Sequence, residues 1–343
     1  MPENPKKSLS VCLIGCGEMG RLHASSIVDH PLLGELSVCD WSQDAAQKAA
    51  DDFGATPKTV DAALDSSGID AYIIASPAHL HLDHTARAAK TGAYVFCEKP
   101  LGVTLASINE ALPELIQFAD KIQMGFNRRF DQHMAALKAR LDLGEIGEIE
   151  QLHIVSRDHK PPLLADLKNS AGLIGETAIH DFDTVRWLMG VEIAQVSCFG
   201  ATLVDPLYRE AGIIDTATTI LTTKKGQQIV IQNSLRAVYG YDQRVEAFGA
   251  DGRLNVSNPT GPLVSHEDRN GLRHGQIADD WSDRYVDAYR DEMHQFLKCV
   301  ANQAVVSPGL QDGVMASQLA HLAQLSLDSG QPQVCEPNFL RSK

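Results

Sequence analysis

The segment Val11–Gly20 reads VCLIGCGEMG, and its pattern decides the fold. Residues Val11–Ile14 are apolar and few enough for a buried strand, and the glycines that follow permit a tight turn. Residues Arg21–His30 have the pattern of a helix. Because a helix that begins here points its free N–H groups and positive dipole end at an anion, this order of strand, G-x-G-x-x-G turn and helix predicts a dinucleotide pyrophosphate site. The alternative is that the glycines only make an ordinary turn.

An acidic residue stands at the distance that such a site requires. Residues Leu36–Cys39 have the composition of a second strand, and Asp40 ends it about twenty positions after Gly20. A carboxylate there accepts hydrogen bonds from both ribose hydroxyls of an adenosine and repels a 2′-phosphate. The next residue is Trp41, rather than an Arg or Ser that would receive that phosphate. The sequence therefore predicts NAD, and not NADP, as the cofactor.

Length, charge and cysteine content limit the class of protein. With 343 residues the chain is long enough for about two domains. A net charge of −14 argues against nucleic acid and anionic membranes as partners, since both require a basic surface. No stretch approaches the ~20 apolar residues of a membrane span, and Met1–Ser10 lacks the apolar core of a signal peptide. The seven cysteines form no C-x-x-C pair, so we expect reduced thiols and a cytoplasmic protein.

The pattern of the chain changes along its length. In residues 1–126 short apolar runs alternate with helical patterns, which predicts parallel βαβ units and a doubly wound, Rossmann-type α/β sheet. From about residue 150 the strand patterns lengthen, and Lys224–Gly226 has the composition of a hairpin turn. We therefore expect residues 127–343 to form an α+β domain with a large, open, mostly antiparallel sheet. Among the expected helices are Leu105–Ala119, a helix from Thr177 onward and Trp281–Ala301.

The tripeptide Glu98-Lys99-Pro100 follows the predicted strand Tyr94–Cys97. It therefore lies at the carboxyl edge of the parallel sheet, where open α/β sheets bind their ligands. A proline after the lysine fixes the backbone and directs the ammonium group into the crevice. The tripeptide by itself is common, and an exposed loop lysine is the alternative.

A second group of polar residues lies in the segment Ala171–Asp183. On a helix Glu176, His180 and Asp183 occupy positions i, i+4 and i+7 and share one face. A carboxylate one turn from a histidine orients the imidazole and stabilises its charged form, which makes the histidine a competent general base. The alternative is an ordinary surface pair of Glu and His.

The cluster His79–His84 reads HLHLDH, and H-x-H-x-D-H is also the zinc signature of metallo-β-lactamase-like hydrolases. Here it follows the strand Ala71–Ala75 inside a run of βαβ units, and Pro77 sets the turn before a helix from His81. The later His and Asp ligands that such a site requires do not recur at strand ends. We therefore expect no metal, and we expect one of these histidines to line the nicotinamide side of the crevice.

The segments Gly15–Gly20, Glu98–Pro100 and Gly172–Asp183, in this order and spacing, closely resemble the Gfo/Idh/MocA oxidoreductase family. The likeness covers about residues 10–330, and within the family the chain looks most like the inositol dehydrogenases. Further matching segments are Gly125–Asp131, Ser156–Asp158 and Ala237–Glu246.

This resemblance implies a two-domain, NAD(P)-dependent dehydrogenase that acts on a ring secondary alcohol. Together with Asp40, it leads us to expect an NAD-dependent enzyme that oxidises such an alcohol of an inositol-like polyol or a sugar. It implies that Lys99, Glu176 and His180 hold the reacting hydroxyl, with His180 as the general base. The family usually has aspartate where this chain has Glu176, and two glycines where it has Ala171-Gly172. The residues implied to bind substrate are Asn127, Arg157, Asp183 and Tyr239, with Tyr241 as the alternative pocket tyrosine.

The remaining expectations concern assembly, rival functions and cofactor contacts. We expect a homo-oligomer, because helices leave one face of the second domain's sheet uncovered, and a tetramer by likeness to the family. One rival function is an NAD-binding protein with weak or lost catalysis, and another is a metallo-hydrolase that uses His79–His84. The residues expected to contact NAD are Gly15, Gly17, Glu18, Met19, Gly20, Asp40, Ser76, Pro77, His81, Glu98 and Lys99.

Overall fold

The computed structural model describes residues 8–165, 171–261, 265–269, 271–273 and 275–336. The chain divides into two units. The first comprises Met1–Phe130 and Asp287–Ser317, and the second comprises Asp131–Val286 and Gln318–Lys343. This division differs from a single cut after residue 126, because a segment far along the chain belongs to the first unit.

The first unit contains a parallel sheet. Its strands are β1 (Leu9–Ile14), β2 (Leu33–Cys39), β3 (Thr56–Lys58), β4 (Ala71–Ile74), β5 (Tyr94–Glu98) and β6 (Ile122–Gly125). Their order is β3-β2-β1-β4-β5-β6, and every neighbouring pair is parallel. This is the doubly wound arrangement that the sequence predicts. Since the order reverses between β1 and β4, the carboxyl ends of these two strands mark the place where such a sheet binds its ligand.

The helices of the first unit follow the predicted alternation, with differences at their ends. They include α1 (Glu18–Ile27), α2 (Gln43–Phe53), α3 (Val60–Leu64), α4 (His81–Lys90) and α5 (Leu105–Leu115). Helix α1 begins before the predicted Arg21, because its N-cap is Gly17 within the glycine turn. Helix α5 ends at Leu115 and a 3₁₀ turn continues over Ile116–Lys121, so the predicted end at Ala119 is wrong.

The core of the first unit explains why residues 287–317 belong to it. Leu13 and Ile73 are fully buried on the sheet, and Met293 and Phe296 are fully buried in the same cluster. Each large apolar side chain that leaves water contributes about 1.5–3 kcal/mol to stability. The late segment is thus an integral part of this core.

The second unit contains a larger, mixed sheet. Its strands are β7 (Ile149–Arg157), β8 (Ile193–Ala201), β9 (Thr216–Thr223), β10 (Gln228–Ser234), β11 (Asp242–Gly249), β12 (Gly252–Val256) and β15 (Gln333–Val334). Their order is β12-β11-β7-β10-β9-β8-β15. Strands β7 and β10 are parallel and the other neighbours are antiparallel, so the prediction of a mostly antiparallel sheet is confirmed. A short hairpin pairs β13 (His266–Asp268) with β14 (Gly271–Arg273).

The two faces of this sheet differ in burial. Helix residues such as Phe182 and Leu319 pack in one core cluster with Ile154 and Ile231 of the sheet. On the opposite face Phe199 is 62 % exposed. The helices are α6 (Gln132–Asp142), α7 (Ile179–Met189), α8 (Pro206–Glu210), α9 (Trp281–Asn302) and α10 (Leu310–Ser329), and the last two contribute residues to both units.

The described helices include no membrane span, and the cysteines form no disulfide. None of those helices has the length and apolar content to cross a bilayer. All seven cysteines are free thiols, and only Cys299 among them is not buried. In the core they pack as small apolar side chains.

Candidate active site

The glycine turn after β1 is packed as tightly as a dinucleotide-binding loop requires. Gly15 has a φ of +102°, and a Cβ there would lie 2.3 Å from the carbonyl oxygen of Ala75. A Cβ on Gly20 would lie 1.8 Å from the carbonyl oxygen of Gly15. A side chain at either position would push the first turn of α1 away from the strands. The packing therefore requires glycine at both positions.

The open side of the same turn fits a phosphate group. Gly17 caps α1 without a side-chain hydrogen bond, and a Cβ built on it meets no described atom within 4 Å. The amide groups of Glu18 and Met19 lie in the first turn, where a helix offers no carbonyl partner. Since the positive end of the helix dipole adds to these donors, the turn fits the pyrophosphate of a dinucleotide.

Asp40 lies directly after β2, and the backbone holds its carboxylate in place. The Oδ2 atom accepts a hydrogen bond from the amide of Cys16 at 2.8 Å, and Oδ1 accepts one from the amide of Ser42 at 2.9 Å. Each carboxylate oxygen has a second lone pair, so Asp40 keeps the capacity to accept two ribose hydroxyls. The neighbouring Trp41 is 87 % exposed.

The Glu98-Lys99-Pro100 tripeptide lies at the carboxyl end of β5. Glu98 is 5 % exposed, and its Oε1 accepts a hydrogen bond from His23 Nε2 at 2.7 Å. Its Oε2 accepts one from the amide of Lys99 at 3.1 Å. Burial by itself raises the pKa of Glu98, but the His23 bond and the charges of Lys99 and His81 outweigh it and hold that pKa below its ordinary value. The buried carboxylate thus fixes the backbone from which the half-buried Lys99 extends.

Two histidines of α4 lie beside the end of β4. The ring nitrogens of His81, which is 2 % exposed, lie 2.7 Å from the carbonyl oxygens of Ser76 and Pro100. Burial opposes a charge on this ring, but Cys97 and the two carbonyl groups favour the charge more strongly and raise the pKa of His81 to about 9. His84 Nδ1 shares a 2.9 Å hydrogen bond with Ser76 Oγ, and burial lowers the pKa of His84.

These histidines are not arranged around a metal position. In the ranges that the structure describes, no group of three or more His, Cys, Asp or Glu side chains is placed to hold an ion. His81 directs both ring nitrogens at carbonyl oxygens. His79 lies exposed on the 3₁₀ turn Ala78–Leu80, which Pro77 precedes.

Asn127 begins the 3₁₀ turn after β6 and is 2 % exposed. Its Nδ2 has no hydrogen-bond partner among the described residues. A buried amide donor without an acceptor costs free energy, and a bound hydroxyl or carbonyl oxygen would remove that cost. This geometry suits the substrate-binding role expected for Asn127.

The segment with Glu176 and His180 is not the regular α-helix predicted from Thr177. A π-helical turn spans Leu173–Ala178, and α7 follows it. In a π turn each backbone N–H bonds the carbonyl group five residues earlier, so the i, i+4 spacing of a regular helix does not by itself place Glu176 beside His180. Such wide turns are frequent at functional sites.

The three polar residues of this segment differ in exposure. Glu176 and His180 are half-buried, whereas Asp183 on α7 is buried. Glu176 Oε1 lies 3.4 Å from the backbone nitrogen of Ala171. The carbonyl oxygen of His180 accepts a 2.7 Å hydrogen bond from Thr184 Oγ1. That Glu176 orients the imidazole stays a prediction.

A second polar cluster lies where β7 ends and β11 begins, around the fully buried Asp242. Asp242 Oδ2 accepts hydrogen bonds from Tyr239 Oη at 2.7 Å and from Arg157 Nη1 at 3.3 Å. Arg157 Nη1 also donates to Tyr239 Oη at 2.9 Å. Arg244 Nε and Asn258 Nδ2 donate to Oδ1 at 2.7 and 2.6 Å. The structure therefore brings Arg157 and Tyr239 together, as two residues expected to bind one substrate require.

Burial by itself raises the pKa of Asp242, but the hydrogen bonds from Arg244, Tyr239 and Asn258 outweigh it and lower that pKa. Sequence reasoning assigned no role to Asp242, although the matching segment Ala237–Glu246 contains it. It also missed His23, the partner of Glu98. A buried charge is not visible in the local pattern of a chain, so neither residue could be recognised before the fold was known.

Two family models match consecutive parts of the chain. Residues 9–126 match the family model described as "Oxidoreductase family, NAD-binding Rossmann fold". Residues 134–255 match the model described as "GFO/IDH/MocA C-terminal domain".

Several relatives are similar over nearly their whole length. An inositol 2-dehydrogenase of Rhizobium meliloti is 34 % identical over 92 % of this chain and 96 % of its own. A myo-inositol dehydrogenase structure from Corynebacterium glutamicum has a TM-score of 0.92 at 33 % identity, covering 96 % of this chain and 100 % of that one. A scyllo-inositol dehydrogenase structure from Lactobacillus casei, with bound NAD(H) and scyllo-inositol, has a TM-score of 0.89 at 25 % identity, covering 96 % and 99 %.

Proposed function

Because the chain belongs to the Gfo/Idh/MocA family of NAD-binding oxidoreductases, we propose that it oxidises a ring secondary alcohol of an inositol-like polyol or sugar to the ketone. The observation that carries the proposal is the placement of Lys99 on a backbone held by the buried Glu98 carboxylate, at the carboxyl edge of an NAD-binding Rossmann sheet. The inositol dehydrogenases to which the chain is similar support this substrate class.

The NAD site is formed by residues whose geometry fits the cofactor. The turn from Gly15 to Gly20 receives the pyrophosphate, and Asp40 receives the adenosine ribose. Ser76, Pro77 and His81 lie beside the end of β4, next to the point where the strand order reverses. When bound, NAD supplies the hydride acceptor, which no side chain provides.

Three residues remove the proton of the reacting hydroxyl and stabilise the negative charge that develops on its oxygen. His180 takes the hydroxyl proton as general base, and Glu176 orients the imidazole and stabilises its charged form. Lys99 stabilises the negative charge that develops on the alcohol oxygen. In a site that excludes water such a cation is worth several kcal/mol, since losing one oxyanion donor costs roughly 10²–10³-fold in kcat.

The substrate is held by side chains that bind hydroxyl groups. Asn127 offers a buried amide donor, and Arg157 and Tyr239 form one preorganised pair. Asp183 accepts hydrogen bonds from further ring hydroxyls. Several such donors and acceptors suit a polyhydroxylated ring better than an apolar alcohol.

The second unit also provides a surface for self-association. Phe199, Ile220 and Phe248 are exposed on the sheet face opposite the described helices, and paired strand residues place the three side chains on the same side. Large exposed apolar patches mark interaction surfaces. We infer a homo-oligomer, and a tetramer by likeness to the family, which light scattering of the purified protein tests.

The decisive experiment measures NADH formation with a panel of inositol isomers, their keto forms, and free and glycosidic sugars. Turnover of an inositol-like ring supports the proposal. Full NAD affinity with no turnover across the panel would instead indicate a cofactor-binding protein without catalysis. A content of about one zinc per chain, removed by a chelator together with a hydrolytic activity, would indicate the metallo-hydrolase.

A further inference from the structure

Both ring nitrogens of His81 face hydrogen-bond acceptors. Nε2 lies 2.7 Å from the carbonyl oxygen of Ser76, and Nδ1 lies 2.7 Å from that of Pro100. A carbonyl oxygen has no proton to donate, so each contact is a hydrogen bond only when the ring nitrogen carries the proton. A neutral imidazole has one such proton and would turn a lone pair towards an oxygen in a buried site. The geometry is therefore that of an imidazolium.

The groups around the ring decide whether this charge is stable. His81 is the first residue of α4, where the positive end of the helix dipole opposes a cation. The ionised Glu98 on β5 favours the cation, as do the two carbonyl groups. His84 lies on the next turn of α4, and because burial lowers its pKa it brings no positive charge near neutral pH. The balance favours the charged ring.

His81 is linked to Lys99 through the backbone of Pro100. Pro100 follows Lys99, so the bond to its carbonyl oxygen holds the chain on the carboxyl side of the lysine. On the amino side the Lys99 amide donates to Glu98, which His23 holds in turn. The main chain is thus tied on both sides of Lys99.

We propose that His81 is a buried imidazolium that positions Lys99 by joining the carbonyl groups of Ser76 and Pro100. It acts through the backbone, so it is a positioning residue rather than a catalytic one. This inference rests on the proposed function, because it takes Lys99 as the group that stabilises the developing alkoxide.

The charge is tested on the wild-type protein by ¹⁵N NMR of labelled histidine, with the His81 signals assigned from His81→Gln. At neutral pH both ring nitrogens of His81 should carry protons, and one proton should be lost as the pH rises through about 9. An unprotonated ring nitrogen at neutral pH would overturn the proposal. This measurement requires no turnover, so it remains decisive even if no polyol is oxidised.

The link to Lys99 is tested by a double-mutant cycle. A glutamine amide cannot donate in both directions, so His81→Gln should lower kcat by about 10-fold to 10²-fold, as a misplaced catalytic group does. In a Lys99→Ala background, His81→Gln should have no further effect on kcat, because the ammonium group that His81 positions is absent. An equal loss in both backgrounds would show that His81 does not act through Lys99.

His79→Gln is the matched control, since His79 is exposed on the preceding turn, and its kcat should be unchanged.

If His81→Gln does not fold, the wild-type pH profile decides instead: kcat should fall as the pH rises through about 9. A constant kcat across that range overturns the inference and leaves the proposed function intact. Absence of polyol turnover in the wild type overturns the proposed function.

Discussion

His23 Nε2 lies 2.7 Å from Glu98 Oε1, although the two residues are 75 positions apart in the chain. Both side chains are buried, and the rings of Phe96 and Tyr289 lie edge-on to the imidazole. The pair secures the strand end that precedes Lys99. Removing either partner should therefore affect both the stability of the first unit and the position of the lysine.

Glu98→Gln keeps the shape of the side chain and removes its charge. We expect the free energy of unfolding to fall by about 2 kcal/mol at neutral pH, the size of a buried hydrogen bond to a charged group. The pKa of Glu98 is lowered in the folded state, so its stabilisation is present above the ordinary value of about 4.3 and is lost as the pH falls through the lower, folded-state pKa. Urea unfolding should therefore show the variant and wild type converging in acid. A difference that does not depend on pH would contradict this account.

Asp40 should decide the choice of cofactor, because a carboxylate accepts two free hydroxyls and repels a phosphate. The wild type should prefer NAD over NADP in kcat/KM, and Asp40→Ala should narrow that preference. Asp44 is an exposed carboxylate on α2, so Asp44→Ala is the matched control. It should leave the preference for NAD over NADP unchanged. Equal kcat/KM with both cofactors in the wild type would exclude this role.

Lys99 should contribute to chemistry rather than folding. Lys99→Ala should keep the melting temperature of the wild type, and its kcat should fall by roughly 10²-fold or more if the ammonium acts like an oxyanion donor. The exposed Lys48 on α2 offers the control substitution Lys48→Ala. If kcat survives Lys99→Ala, the residue is an ordinary loop lysine.

His180 should control the pH dependence of turnover. A general base must be unprotonated, so kcat should rise with pH through one limb, and His180→Ala should remove that limb and lower kcat by about 10²–10⁴-fold. Glu176→Gln removes the charge that favours the protonated ring, so the limb should move to lower pH with a smaller loss of rate. A pH profile that His180→Ala leaves untouched would place the base elsewhere.

Glu176→Asp tests the departure of this chain from its family. If the longer side chain is adapted to the π turn and to this protein's own substrate, shortening it should lower kcat. We expect that outcome. If instead the kcat on inositols rises in Glu176→Asp, Glu176 lowers the activity relative to the aspartate that is usual in the family.

The elements of the first unit could be predicted closely because their signals are local. Periodicity and turn residues mark β1, α2 and α4, and Gly15 must be glycine for reasons confined to one turn and its neighbour strand. The π turn Leu173–Ala178 could not be predicted, because its residues have the periodicity of an ordinary helix start and nothing in the local pattern indicates a wider ring.

The sequence by itself determined the strand–turn–helix that receives the pyrophosphate, the acid that follows β2, and the lysine at a strand end, because each depends on backbone preferences and spacing over a few residues. Only the tertiary structure decided which buried groups hold those residues: His23 on Glu98, His81 on Pro100, and Asp242 on Arg157 and Tyr239. These contacts join segments far apart in the chain. The free energy of such a contact depends on the burial and charge of both partners, and folding alone sets these.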